Sequence, residues 1–79
     1  MNINENINYE QEVSKLKSNE EWAYFISTLL HYNYNDMNDM LHDLNNLRAI
    51  EWYEMFIEED NLPKIVLESF KKYFKISYV

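Results

Sequence analysis

The stretch Leu47-Arg48-Ala49-Ile50-Glu51-Trp52-Tyr53-Glu54-Met55-Phe56-Ile57-Glu58-Glu59-Asp60 decides the fold. At about 3.6 residues per turn, Ala49, Ile50, Trp52, Tyr53, Phe56 and Ile57 share one broad sector, and Glu51, Glu54 and Glu58 line the opposite one. One side requires a core and the other is acidic, which predicts an amphipathic helix.

Toward the carboxyl end, Asn61-Leu62-Pro63 closes this helix and opens the next, because proline is tolerated where its missing amide is not needed. Val66, Leu67, Phe70, Tyr73 and Phe74 then form an apolar side, with Lys64, Glu68, Lys71 and Lys75 opposite and Lys72 on a flank. Residues 76–79 lose the pattern and read as a short extended tail.

Toward the amino end, Asp36 is the expected cap of a helix carrying Met37, Met40, Leu41 and Leu44 on one face. Carried through Asn45-Asn46, the apolar sector swings by more than a right angle before Ala49, so a break is expected at the two asparagines. Ser18-Asn19-Glu20-Glu21 reads as a capping box, the Ser18 hydroxyl serving the Glu21 amide and the Glu21 carboxylate the Ser18 amide. Trp22, Phe25, Ile26, Leu29 and Leu30 follow as the clearest core stripe, which ends within residues 31–35 and leaves Tyr32 and Tyr34 in a loop. A short first helix has Asn8 as cap, Tyr9, Val13 and Leu16 on one face, and Lys15 and Lys17 at its carboxyl end. Residues 1–7 read either as a frayed arm or as a first turn.

The fold class expected is all-α: a small single domain over residues 1–79, built as a bundle of four to five short helices. Its expected core is Trp22, Phe25, Ile26, Leu29, Met40, Leu41, Leu44, Trp52, Tyr53, Phe56, Ile57, Val66, Phe70, Tyr73 and Phe74. An apolar fraction of 47%, with 2 Trp, 7 Tyr and 4 Phe, is too high for a disordered chain despite a net charge of −7.

With no glycine, phosphate-cradling loops, dinucleotide turns and nucleophile elbows cannot be built. With no cysteine there is no disulfide framework, thiolate nucleophile or sulfur-ligated zinc site. No apolar run approaches the roughly 20 residues of a membrane span, and the first residues lack a basic region followed by an apolar one, so a cytoplasmic location in a bacterial cell is expected. Eleven asparagines, with abundant Ile, Lys, Glu and Tyr, fit an AT-rich coding sequence.

Glu51, Glu54 and Glu58 place like charges three and four residues apart, each pair opposing the helix by about 0.2–0.5 kcal/mol. Glu59 and Asp60 add negative charge at the end that the helix dipole disfavours. The simpler reading is a solvated face in an acidic protein; the functional one is a surface that meets a basic partner. Residues 1–60 carry a balance of −10 and residues 61–79 one of +3, so direct binding to DNA or RNA is not expected. Glutamates four residues apart rise about 6 Å along a helix, a spacing that can imitate successive phosphates in a basic groove. The candidate contact residues are Tyr32, Tyr34, Asp36, Asp39, Asp43, Glu51, Glu54, Glu58 and Glu59.

The lysines of the last helix read as dipole-complementing surface residues. His31, His42, Asp39 and Asp43 are ligand types whose spacing matches no metal pattern, and no acid, base or nucleophile is set apart by its surroundings. No enzyme activity, cofactor or metal is therefore expected.

The leading functional expectation is a protein-binding inhibitor of a nucleic-acid-handling enzyme, of the phage or mobile-element anti-defence type, such as an anti-CRISPR protein or nucleic-acid mimic. Its partner would be a basic, nucleic-acid-binding protein, with no membrane involved. One alternative is a homo-oligomeric structural or regulatory module, a homodimer in its simplest form. Another is an immunity protein or antitoxin against a basic nuclease toxin.

Overall fold

The computed structural model describes residues 8–77, so residues 1–7, read as either an arm or a first turn, and residues 78–79 lie outside it. Five helices follow in order: α1 Tyr9–Ser14, α2 Asn19–Leu30, α3 Tyr34–Asn45, α4 Ala49–Glu59 and α5 Lys64–Tyr73. The architecture is a small all-α bundle. α2 packs on α3, α3 on α4, α4 on α5, and α5 returns to α1. No helix among the described residues is long and apolar enough to cross a membrane.

Side-chain oxygens open the first three helices. Asn8 Oδ1 accepts from the Gln11 amide at 3.1 Å, and Ser18 Oγ accepts from the Glu21 amide at 3.1 Å. The reciprocal half of the Ser18 box differs from expectation: the Glu21 carboxylate accepts from the amide of Lys17, one residue earlier than Ser18. α3 also starts earlier than expected. Asn33, not Asp36, is its cap, with Asn33 Oδ1 accepting from the Asp36 amide at 2.7 Å. Tyr34 is consequently the first residue of α3 rather than part of a loop.

The last four helices end without glycine. His31, Leu47, Asp60 and Lys75 adopt positive φ values of 60°, 63°, 51° and 57°. After α2, α3 and α5 the amide beyond this residue reaches back five positions, from Tyr32 to Ser27, Arg48 to Asp43 and Ile76 to Lys71, at 2.9–3.0 Å. The expected break at Asn45-Asn46 is present, and Leu47 makes the turn. Asn19 holds the same corner from α2, its Nδ2 donating to Asn45 Oδ1 at 2.8 Å.

The fully buried side chains are Trp22, Phe56, Phe70, Ile26, Met40 and Val66. Phe70 is their hub, with ring centroids 5.7 Å from Trp22, 5.7 Å from Phe56, 6.3 Å from Tyr53 and 4.6 Å from Phe74. Phe25, Leu29, Leu41, Trp52 and Phe74 are only partly buried against this core.

Two expected core residues lie outside it: Ile57 is 46% and Tyr73 38% exposed. Both sit at the edge of their helix's apolar sector, which is wider than its neighbours cover. Ile76, expected as the start of an extended tail, is instead buried, because the bond from its amide to Lys71 turns it back onto the core. Val13, Ala23, Ala49 and Leu62 complete the buried set.

Candidate protein-binding surface

α4 owes its position to Ala49, Tyr53 and Phe56, which face inward, and to Trp52, which clamps it to α3. The Trp52 indole Nε1 donates to Asp43 Oδ2 at 2.8 Å, while Arg48 Nη1 lies 3.5 Å from Asp43 Oδ1. The Asp43 carboxylate is therefore engaged within the α3–α4 corner rather than offered outward. Its neighbour on α3, Asp39, is exposed.

With α4 so oriented, Glu51, Glu54 and Glu58 all face solvent. None of the three has an ion-pair partner among the described residues, where the pairs are Lys15 with Glu12 and Arg48 with Asp43. Alongside the acidic row run two aliphatic side chains, Ile50 at 36% and Ile57 at 46% exposure. They lie roughly 100–120° from Phe56 around the helix, beside Glu54, which is why a broad-sector reading assigns them to the core. Leu47, 93% exposed, adjoins Ile50 at the corner. Leu47 and Ile50 edge a groove of about 350 Å³ that Leu44, Phe74 and Ile76 also line.

A second acidic location forms where the start of α3 meets the end of α4. Tyr32, in the link between α2 and α3, is half-buried with its ring 6.3 Å from that of Trp52. Burial raises the Tyr32 phenol pKa above its ordinary value, and the negative charges of Glu59 and Asp36 raise it further. Glu59 itself accepts from Asn61 Nδ2 at 2.9 Å. Tyr34 is 72% exposed.

The sequence-derived contact residues thus divide by place. Glu51, Glu54 and Glu58 form the α4 row; Tyr32, Asp36 and Glu59 converge at the α3–α4 end; Asp43 serves the corner between them. Leu47, Ile50 and Ile57 are surface residues that sequence reasoning missed. The available signal was the position of Ile50 and Ile57 at the rim of the sector, next to Glu54. Comparison with protein-family models, curated proteins and solved structures finds no match, so the surface itself carries the functional argument.

Proposed function

We propose that this protein is a stoichiometric inhibitor that docks the outward face of α4 onto a basic, nucleic-acid-handling enzyme, as a phage or mobile element deploys against a host defence. The observation that carries the reading is the exposed row Glu51, Glu54 and Glu58, without ion-pair partners among the described residues and flanked by exposed Ile50 and Ile57. Such a row opposes its own helix, and a cationic groove relieves that repulsion on binding. The carboxylates steer the encounter and set its salt dependence, while the aliphatic edge supplies desolvated contact area.

The test is affinity capture from a low-GC bacterial lysate after nuclease treatment, followed by binding measurements on the purified target. A basic nucleic-acid-binding protein should be held at low salt, released as salt rises, and displaced by its own nucleic acid. The triple substitution Glu51→Lys, Glu54→Lys and Glu58→Lys should abolish binding while leaving helicity by circular dichroism intact. An affinity unmoved by the triple substitution would sink the proposal. An immunity protein or antitoxin would use the same face, and the identity of the captured target separates the two.

Leu47, almost wholly exposed beside Ile50, favours a second reading, a self-associating helical module. Light scattering that shows a strict monomer across micromolar concentrations would remove it.

A further inference from the structure

α1 packs on α5 and makes no close contact with α2. Between α1 and α2 lies a groove of about 600 Å³. Its apolar residues are Leu16, just beyond α1, Phe25 of α2, and Tyr24, which is 68% exposed. Leu16 and Phe25 are only partly buried against the core. Phe25 belongs to the stripe that the sequence assigns to the core, and α1, a helix of 6 residues directed at α5, leaves its outer side uncovered.

The charged residues along the groove are mostly acidic. Glu12, Glu20 and Glu21 line it with a single cation, Lys15, whose Nζ lies 3.8 Å from Glu12. The Glu21 carboxylate also accepts from the Lys17 amide. Glu20, exposed in the first turn of α2, has neither an ion pair nor a side-chain hydrogen bond among the described residues.

These features select the occupant. An anionic group, of lipid or nucleic acid, would meet net negative charge. A small apolar molecule would stay largely in water, because Glu20, Glu21, Tyr24 and Thr28, along the α2 side, are all exposed. An extended segment would bring unpaired amides onto apolar side chains, since the described residues form no strand whose edge could pair with them. A helix arrives with its amides already bonded and carries apolar and cationic side chains in separate rows.

We infer that this groove receives a cationic amphipathic helix of a partner protein, its apolar row seated on Leu16, Tyr24 and Phe25 and its lysines or arginines beside Glu20. The inference goes beyond the α4 reading, because the groove shares no residue with α4.

The test uses the full chain and a synthetic probe. An acetylated and amidated peptide of about 14 leucines and lysines in helical pattern spans the roughly 18 Å of α2. Titrated at about 0.15 M salt and followed by two-dimensional NMR, it should shift the signals of Leu16, Tyr24, Phe25 and Thr28 saturably and together. A peptide with each leucine replaced by alanine keeps all the charge and should bind at least about tenfold more weakly. A peptide with each lysine replaced by glutamate should leave these signals in place. Tyr24 and Glu20 are both exposed, so Tyr24→Ala and Glu20→Gln should each weaken the leucine–lysine peptide several-fold while helicity by circular dichroism stays intact. In the α4 triple variant the groove signals should still shift.

Equal binding of the alanine peptide, shifts confined to α4, or full affinity in Tyr24→Ala would each reduce the effect to general charge attraction and overturn the inference. Movement of the same signals when the protein alone is concentrated would give the groove to a second copy, and nuclear Overhauser contacts from residues 1–7 would give it to the chain itself; either result also overturns it. Loss of target binding in the α4 variant is a separate readout, so either reading can fail while the other stands.

Discussion

Leu47 shows how the chain manages without glycine. Its φ of 63° places a branched side chain in the left-handed region, and 93% exposure means that burial returns nothing for the strain. Leu47→Gly should therefore raise stability by roughly 0.5–1 kcal/mol, seen as a higher denaturant midpoint with an unchanged slope. Tyr32 makes a different prediction. Its raised phenol pKa favours the neutral form in the folded state, so its contribution to stability is complete below about pH 10. That contribution is lost as pH rises toward the folded pKa, because the unfolded chain ionises first. Glu59→Gln should lower the Tyr32 pKa partway, burial being the larger cause, and an alkaline titration followed by ultraviolet absorbance checks this. At this scale much of the candidate site escaped the sequence. Asp43 reads as an outward acid because nothing local shows that Trp52, nine residues later, returns across the Leu47 corner to claim its carboxylate.

α4 is where stability and binding pull in opposite directions. Glu54→Lys replaces two repulsive pairs, with Glu51 and Glu58, by two attractive ones, and should stabilise the protein by about 1 kcal/mol. The same change breaks the acidic row, so thermal unfolding should move upward while partner affinity falls. A variant that gained stability and kept full affinity would separate α4 from function. Elements were the most legible level of this chain. Apolar periodicity located all five helices, and Asn8 and Ser18 announced two of their starts. The start of α3 is ambiguous in the sequence because Asn33 and Asp36 are both good caps three residues apart, and only the bond from the Asp36 amide to Asn33 decides between them. Within α4, periodicity marks Ile50 and Ile57 as apolar but carries no information on how far neighbouring helices reach around the cylinder.

Across the whole molecule, the helices converge on Phe70, which is fully buried and in ring contact with residues of α2 and α4. Phe70→Ala should cost about 3–5 kcal/mol, a large share of what a domain of this size possesses, and calorimetry should show a greatly lowered or absent unfolding transition. The two tryptophans give this architecture an optical consequence. Trp22 is sealed among Phe25, Phe70, Tyr73 and Phe74, and its indole N–H finds no acceptor among the described residues. Trp52 is only partly buried, and its indole N–H donates to the Asp43 carboxylate at the α3–α4 corner. One chromophore therefore emits from a dry aromatic cage and the other from a wet, charged rim, so their fluorescence should separate by wavelength. Blue emission then reports the docking of α5 against α2, and red emission reports the α3–α4 corner. Coincident loss of both on unfolding would mark a single cooperative unit. Any change confined to the α3–α4 corner should shift the red component and leave the blue one unchanged.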